Sequence, residues 1–370
     1  MRPAPAQVGD PVGAIDSPAL VVELDAFERN LAAMSAFARS HGVRLRPHAK
    51  THKCAAIALQ QIARGAVGVC VQKVGEALAL TAGGVRDVFV SNEVIAPAKL
   101  ARLAALPSDV NLAVAVDSVA GIERLAAAIH AGRRQIEVFV EIDAGQGRCG
   151  VPPAEAGALA RQVVAHTGLR FAGLQAYHGG AQHLRRVAER RDAIGHAVER
   201  VRTTRELIEQ SGIACATVTG AGTGSFPLEL ASGAYDELQP GSYIFMDADY
   251  NRNEFDADWP RFEQSLFVWT TVMSRPVSSR AVVDAGLKAS SVDSGMPQVW
   301  GLPGVEYVKA SDEHGVLAIA PGANAPALGA KLLLVPGHCD PTVNLYDWFV
   351  CVRRGVVEAL WPVSARGALR

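Results

Sequence analysis

The feature that most constrains the fold is a regular alternation of short apolar segments and Ala/Leu-rich segments between about residues 18 and 252. The short segments predict strands, and the longer segments that separate them have helical periodicity. Eight strands are predicted, at residues 19–24, 43–48, 68–72, 87–91, 111–116, 137–143, 170–177 and 216–220. Eight strand–helix units of this length fit an α/β fold of the (β/α)8 TIM-type barrel class, with an open doubly wound sheet as the alternative.

After about residue 252 the pattern changes to short strands joined by Gly, Pro and Asp turns, and few helical periods remain. Strands are predicted at residues 265–273, 280–284, 306–309, 315–319, 331–336, 348–353 and 356–362. This pattern is typical of a C-terminal antiparallel β domain. We therefore expect a barrel over residues 18–252 and a β-rich domain over residues 253–370, with residues 1–17 packed on it.

Charge and composition exclude several classes of protein. The 36 Lys and Arg residues balance 37 Asp and Glu residues, so the chain lacks the basic footprint that nucleic-acid or acidic-membrane binding needs. Neither a run of 18 apolar residues nor an apolar N-terminal core is present, which argues against a membrane span and a secretory signal. Six scattered cysteines without a CxxC pair predict reduced thiols. We expect a cytoplasmic enzyme that acts on a small molecule.

The motif RPHAKTHK, residues 46–53, lies at the end of a predicted strand and places Lys50 at the barrel mouth. Low dielectric and neighbouring cations favour the neutral form of such an amine. A neutral lysine can form a Schiff base with an aldehyde cofactor. An ordinary basic loop is the alternative at this point.

The glycine-rich segment GAGTGS, residues 220–225, directly follows another predicted strand. Its glycines leave backbone N–H groups free to face a phosphate, and Thr223 and Ser225 add hydroxyls. The segment lacks the GK[ST] of a nucleoside-triphosphate loop, whereas phosphate cups after late strands are common in barrels. Tyr243, in the nearby segment PGSY, could add a donor. A flexible turn is the alternative.

The segment GQGRCG, residues 145–150, matches the dinucleotide-binding pattern GxGxxG. The match lies inside the strand series, and the next strand ends without the acidic residue that would bind a ribose. We therefore interpret Arg148 as a fixed cation that faces the pocket. A nicotinamide-dependent dehydrogenase is the alternative that this motif leaves.

Two further segments carry candidate acid, base and metal-binding groups. In PGHCDP, an extended backbone would point His338 and Asp340 the same way and turn Cys339 away. Such a pair could share a divalent metal and leave positions open for water or a substrate oxygen, although an ordinary polar turn is the alternative. In QAYHGGAQH, Tyr177 and His183 follow a strand and are candidates for proton transfer.

Taken together, these motifs resemble the pyridoxal-phosphate enzymes of the alanine-racemase-like fold. The resemblance is closest to the D-threonine aldolase / 3-hydroxy-D-aspartate aldolase family, which is related to metal-dependent D-serine dehydratases. It extends over nearly the whole chain and includes, in the family's order, RPHAKTHK, CVQKVGEA, SNEV, VEIDAGQGRCG, LQAYHG, GAGTGS, ELQPGSY, FMDADY, DAGLK, DEHG and PGHCDPT. The chain departs from the family at Ala221, which replaces the middle glycine of the phosphate cup.

The resemblance implies a role for each candidate residue. Lys50 would hold pyridoxal phosphate, with Arg148 facing the pyridine nitrogen and Gln72 beside the cofactor. Gly222, Thr223, Gly224 and Tyr243 would bind the phosphate of the cofactor. Tyr177 and His183 would lie at the substrate. His338 and Asp340 would bind a divalent metal (Mn, Mg or Zn).

The implied reaction is retro-aldol cleavage of D-3-hydroxy amino acids, of the D-threonine or 3-hydroxy-D-aspartate type, to glycine and an aldehyde. Either His183 or a metal-bound hydroxide would take the proton of the substrate hydroxyl. A dehydratase acting on D-serine or 3-hydroxyaspartate is the alternative, and a racemase is a weaker one. The HxD pair, in place of HxC, favours a hard metal and the aldolase. The assembly that we expect is a homodimer.

Overall fold

The computed structural model describes residues 3–370, which form seventeen strands and nine α-helices. The strands, numbered along the chain, are β1 (Ala19–Glu23), β2 (Arg44–Leu45), β3 (Val69–Val71), β4 (Asp87–Glu93), β5 (Asn111–Val116), β6 (Ile136–Glu141), β7 (Leu169–Ala176), β8 (Thr217–Gly220), β9 (Glu237–Leu238), β10 (Leu266–Val277), β11 (Arg280–Val283), β12 (Gln298–Val299), β13 (Val305–Ala310), β14 (Gly315–Ile319), β15 (Lys331–Val335), β16 (Trp348–Arg353) and β17 (Val356–Pro362). The helices are α1 (Leu24–Ser40), α2 (Ala55–Ala63), α3 (Val74–Ala82), α4 (Pro97–Ala104), α5 (Val119–Ala131), α6 (Pro153–Ala165), α7 (Val187–Gln210), α8 (Phe226–Ala231) and α9 (Cys339–Val343).

The first sheet is the predicted barrel. Its eight strands are all parallel and run in the order β2-β9-β8-β7-β6-β5-β4-β3. The two ends of this order are joined by backbone hydrogen bonds, from Ala49 N to Cys70 O at 2.8 Å and from Cys70 N to Pro47 O at 2.9 Å. The carboxyl ends of all eight strands therefore open at one mouth, which is where a barrel carries its active site.

One predicted barrel strand belongs elsewhere. The segment predicted at residues 19–24 forms β1 of the second sheet, antiparallel to β10 and parallel to β16. The eighth barrel strand is instead β9, which has only two residues. An apolar run marks a buried strand without specifying its partners, and two residues are too few to produce a periodic signal. The strand count was therefore correct, but one member was wrong.

Packing of helices on the barrel follows from helical spacing of apolar residues. In α5, Ile122, Leu125 and Ile129 recur at three- and four-residue intervals and are buried against the strands. The helix begins at Ser118, whose Oγ accepts a hydrogen bond from Gly121 N at 3.2 Å. Each fully buried Leu or Ile side chain contributes about 1.5–3 kcal/mol. Inside the barrel the rings of Phe89 and Phe139, 4.7 Å apart, fill the lumen below the mouth.

The second sheet has nine strands, and all of its pairs are antiparallel except β1 with β16. Helix α1 packs Phe27, Leu31 and Met34 into the core on one face of this sheet. Backbone bonds tie the end of β15 to the barrel, including one from Ala248 N to Pro336 O at 3.0 Å. Helix α9 follows β15 and is thereby held at the mouth. Among residues 3–370, none of the helices has both the length and the hydropathy needed to cross a membrane.

Candidate active site

Lys50 lies at the mouth just beyond β2, and its Nζ forms an ion pair with Oδ2 of Asp340. Burial of the amine lowers the pKa of Lys50, but the Asp340 carboxylate outweighs this effect, and the pKa is raised overall. The expectation of a neutral lysine is wrong in this arrangement, because the nearest charge is a carboxylate rather than a cation. The contact brings together residues 290 positions apart in sequence.

Gln72 follows β3 and is fixed by hydrogen bonds beside Lys50. Its Nε2 lies 3.0 Å from Nε2 of His48 and donates to the Ser91 carbonyl oxygen at 3.2 Å. Burial, followed by the Lys50 charge, lowers the pKa of His48 well below its usual value. His48 is therefore neutral and contacts the Gln72 amide through Nε2. It was not among the predicted site residues, although it lies two positions before Lys50.

Arg148 projects from the glycine-rich turn after β6. Its guanidinium carbon lies 5.7 Å from the centre of the Tyr177 ring, and its Nη2 lies 3.9 Å from Oε1 of Glu141. The turn is closed by Asp143, whose Oδ1 accepts hydrogen bonds from the N–H groups of Gly145 (2.9 Å) and Gly147 (3.0 Å). The GxGxxG match is thus a carboxylate-capped turn that presents an arginine to the mouth.

Acidic side chains lie behind Arg148. Burial, together with the neighbouring Glu93, raises the pKa of Glu141. Burial also raises the pKa of the Tyr177 hydroxyl, which keeps that group protonated beside Arg148. Ligand atoms of Glu93, Asp117 and Cys149 lie within 4.8 Å of one another in the same region.

The segment after β8 forms a cradle with unused backbone donors. Among residues 3–370, the N–H groups of Gly222 and Thr223 donate no hydrogen bond to another protein group. A Cβ at Gly222 would lie 2.4 Å from Oε1 of Gln182, so a larger residue there would displace the Gln182 amide. Ala221 adopts a left-handed φ of 70°, which costs about 1–2 kcal/mol in a residue other than glycine.

Gly224 and Tyr243 occupy the cradle differently from the prediction. Gly224 N donates to Oε1 of Gln182 at 2.9 Å, and Tyr243 N donates to Oγ1 of Thr223 at 3.1 Å. The Tyr243 side chain is buried in the core, and its hydroxyl accepts from Nε2 of Gln61 at 3.2 Å. Tyr243 therefore contacts the cradle through its backbone and not through its hydroxyl.

A buried chain of hydrogen bonds supports the cradle from behind. Gln182 is 1% exposed, and its Nε2 donates to Oγ of Ser225 at 2.6 Å. Ser225 Oγ in turn donates to Oε1 of Glu229 at 2.7 Å. Burial raises the pKa of Glu229 to about 7. Sequence analysis missed Gln182 and Glu229, whose polar character in a buried setting is visible only in the folded chain.

His338 and Asp340 face the mouth from the β domain, but not on an extended segment. His338 has an extended backbone and precedes α9, whereas Asp340 lies in the first turn of that helix. The expectation of a continuous strand is wrong here, because the chain turns helical at Cys339. Cys339 is buried, and its N–H donates to Oδ2 of Asp247 at 2.8 Å, which fixes the turn.

His183 is held by a carboxylate that the sequence did not single out. Its Nδ1 lies 2.6 Å from Oδ2 of Asp249. Oδ1 of Asp249 also accepts from Nη2 of Arg185 at 2.5 Å and of Arg252 at 2.7 Å. Burial alone would raise the pKa of Asp249, but these partners lower it overall. Asp249 lies in the quoted motif FMDADY, which was the only available signal for it.

Comparisons with known proteins agree with this arrangement. The family model described as alanine racemase, N-terminal domain, matches residues 22–249, and a putative serine dehydratase domain matches residues 265–352. A D-threonine aldolase of Arthrobacter sp. is 51% identical, with 100% of this chain and 97% of the relative covered. A 3-hydroxy-D-aspartate aldolase of Paracoccus denitrificans (strain Pd 1222) is 47% identical, with 98% and 95% covered. The crystal structure of D-threonine aldolase from Filomicrobium marinum has a TM-score of 0.96 at 49% identity, with 100% of each chain covered.

The chain belongs to the D-threonine aldolase / 3-hydroxy-D-aspartate aldolase family. The comparisons thereby confirm the expected family, the expected fold of a barrel with a β domain, and the expected aldehyde-lyase class. Retro-aldol cleavage is the reaction of this enzyme class, and the match to the alanine racemase domain supports pyridoxal phosphate as the cofactor.

The residues at the mouth of this aldolase-family enzyme fit both pyridoxal phosphate and a divalent metal. The Lys50 amine, the Arg148 guanidinium and the free N–H groups of Gly222 and Thr223 match the aldehyde, ring nitrogen and phosphate of pyridoxal phosphate. For a divalent metal, His338 offers Nε2, because its Nδ1 lies 2.7 Å from Oδ2 of Asp293. The neighbouring Asp340 adds a hard oxygen ligand.

Proposed function

We propose that this enzyme cleaves D-3-hydroxy amino acids, including D-threonine and 3-hydroxy-D-aspartate, to glycine and an aldehyde. In this proposal Lys50 anchors pyridoxal phosphate, and His338 and Asp340 hold a divalent metal. The single observation that carries the proposal is the contact between Lys50 and Asp340, because it joins the cofactor anchor to the metal pair. A substrate held through its α-amino nitrogen would then present its β-hydroxyl to the metal.

The proposed positioning of the cofactor follows from fixed groups. Bound pyridoxal phosphate supplies an electron sink for the carbanion that forms when the Cα–Cβ bond breaks. The Arg148 guanidinium can donate hydrogen bonds but cannot accept them, so it would face the ring nitrogen as a donor and leave that nitrogen without a proton. Gly222 and Thr223 would hold the phosphate through their backbone N–H groups, and Gln72 would lie beside the cofactor.

We assign the proton transfer to His183. The contact between its Nδ1 and Asp249 fixes the ring orientation and leaves Nε2 to take the proton of the substrate hydroxyl. A divalent metal at His338 and Asp340 would lower the pKa of that hydroxyl. A histidine and a carboxylate with open positions suit Mn²⁺ or Mg²⁺ better than the thiolate pairs that favour zinc. Tyr177 closes the site above Arg148 as a neutral hydroxyl.

A reducing, cytoplasmic location is part of the proposal. All six cysteines are unpaired, and five of them are buried. Free buried thiols of this kind are typical of proteins from reducing compartments.

One incubation tests the proposed reaction. The purified protein, loaded with pyridoxal phosphate and Mn²⁺ or Mg²⁺, is given D-threonine, and the products are identified. Glycine with acetaldehyde supports the aldolase, whereas 2-oxobutanoate with ammonia would establish a dehydratase. The absorbance of enzyme-bound cofactor should disappear in Lys50→Ala, and its persistence would refute the cofactor anchor.

A further inference from the structure

In the proposed enzyme, two cations would bind the carboxylate of Asp340, namely the Lys50 ammonium and the divalent metal. Its Oδ2 pairs with Nζ of Lys50, and its Oδ1 lies 3.4 Å from both Oγ of Ser242 and Sγ of Cys339. The side chain is only 12% exposed, so little of the carboxylate is left for a further partner. A divalent metal beside His338 would have to share the carboxylate with the Lys50 ammonium.

We propose that cofactor attachment and metal binding are energetically coupled through the Lys50–Asp340 contact. Covalent attachment of the cofactor to Lys50 frees Asp340 for the metal, so each group raises the affinity of the enzyme for the other. The inference rests on the proposed function, because it takes Lys50 as the anchor and Asp340 as a metal ligand. It adds a mutual dependence of cofactor and metal binding that neither assignment contains.

The coupling follows from the charge that attachment removes. When the Lys50 ammonium condenses with the cofactor aldehyde, an Nζ=C bond forms and the C=O bond breaks. Two N–H hydrogens leave with the aldehyde oxygen as water, and the third proton passes to solvent. The nitrogen no longer carries the full ammonium charge that holds Asp340. A metal ion next to an intact ammonium is repelled, and in a partly buried site this repulsion is weakly screened.

The size of the effect is bounded by known couplings between sites. Coupling free energies typically change an affinity about 5- to 150-fold, and linkage requires the same factor in both directions. We therefore expect the dissociation constant of Mn²⁺ to fall about 10- to 100-fold when the cofactor is attached. The dissociation constant of pyridoxal phosphate should fall by an equal factor when Mn²⁺ is saturating.

The test measures the affinity for Mn²⁺ by electron paramagnetic resonance of the free ion, in preparations that differ only in the chemical state of Lys50. The wild-type protein is titrated without cofactor, with pyridoxal phosphate, and with pyridoxine 5′-phosphate, which carries an alcohol in place of the aldehyde. We expect tight binding only with the aldehyde. Equal affinities in all three preparations would overturn the coupling.

Two variants separate the charge of Lys50 from its chemistry. Lys50→Ala removes the cation, so it should bind Mn²⁺ tightly with or without cofactor. Lys50→Arg keeps the cation but does not form the linkage, so it should bind weakly in both conditions. If Lys50→Ala binds Mn²⁺ no better than wild-type protein without cofactor, Lys50 does not restrain Asp340 and the inference is wrong.

A third variant keeps this inference distinguishable from the proposed function. In His338→Ala, tight Mn²⁺ binding should be lost in every preparation. If the wild-type protein with cofactor shows no saturable Mn²⁺ site, or if the site survives in His338→Ala, the metal pair itself is wrong. If the site depends on His338 but not on the state of Lys50, only the coupling is wrong.

Discussion

Nδ1 of His338 lies 2.7 Å from Oδ2 of Asp293, and the two residues are 45 positions apart in sequence. Asp293 is itself steadied by Ser291, whose Oγ donates to Oδ1 at 2.6 Å. A carboxylate bound to one nitrogen of a ligating histidine fixes the tautomer and turns the other nitrogen toward the metal. Asp293 is therefore a positioning residue for the proposed metal site.

Replacement of Asp293 should weaken metal binding without removing a ligand. Loss of such a supporting carboxylate typically lowers metal affinity 10- to 100-fold. We expect that range for Asp293→Ala and a smaller loss for Asp293→Asn, whose amide oxygen still accepts from His338. The measurement is Mn²⁺ titration of the cofactor-loaded protein. Ser294→Ala is the control, because Ser294 Oγ makes a longer and weaker contact with the same nitrogen, at 3.4 Å. An unchanged affinity in Asp293→Ala would contradict the assignment.

The pair of His183 and Asp249 predicts a loss of catalytic rate. A positioned base contributes about 10²- to 10⁴-fold, so His183→Ala should lower kcat/KM for D-threonine by that factor. Asp249→Asn keeps the shape of the side chain but weakens the orientation of the ring, and we expect a drop of at least about 10-fold in kcat with little change in KM.

The control for this pair is Glu189→Gln, which breaks an exposed ion pair on α7 and should leave the rate unchanged. Circular dichroism separates loss of orientation from loss of folding, since Arg185 and Arg252 also depend on Asp249. Normal activity in His183→Ala would remove His183 as the base.

Gln182 should govern cofactor affinity, because it supports the cradle through Gly224 and Ser225. Gln182→Met preserves length but loses both hydrogen bonds, each worth about 0.5–1.5 kcal/mol. We expect the dissociation constant of pyridoxal phosphate to rise about 10-fold, as measured by the absorbance of bound cofactor. Gln210→Met, at the exposed end of α7, is the matched control. An equal affinity in the two variants would show that the cradle holds its shape without Gln182.

Much of the fold was predictable because the signals are local. Strand β5 was predicted with its observed ends, 111–116, since its apolar run lies within a few consecutive residues. Strand β1 was assigned to the wrong sheet, because its partners, β10 and β16, lie more than 240 residues away. Hydrophobic pattern specifies burial, while pairing depends on the rest of the chain.

The site shows the same division between local and distant information. Four candidate site residues could be predicted from the sequence, because they carry distinctive chemistry in recognisable segments: Lys50, Arg148, His338 and Asp340. Their supporting residues, Asp249, Asp293 and Gln182, are ordinary polar residues whose partners lie far along the chain. Only the folded structure shows that Asp249 contacts His183, that Asp293 contacts His338 and that Gln182 contacts the cradle.

The carboxyl group of Glu229 ends the buried chain of hydrogen bonds behind the cradle. Its pKa is raised by burial from 4.5 to about 7 in the folded protein. Between these values the folded chain retains a proton that the unfolded chain releases. The free energy of unfolding should therefore fall as the pH rises from about 4.5 to 7, by about 3 kcal/mol in total at 1.36 kcal/mol per unit of pKa.

Glu229→Gln keeps an acceptor for Ser225 and removes this titration. Its Tm relative to wild type should rise as the pH increases from 5 to 8, because only the wild-type protein has to ionise or bury a charged carboxylate at high pH. Calorimetry of both proteins across this range measures the difference, with the exposed Glu206→Gln as the control. A Tm difference that stays constant with pH would show that Glu229 is already ionised in the folded enzyme and that its charge is compensated within the cradle.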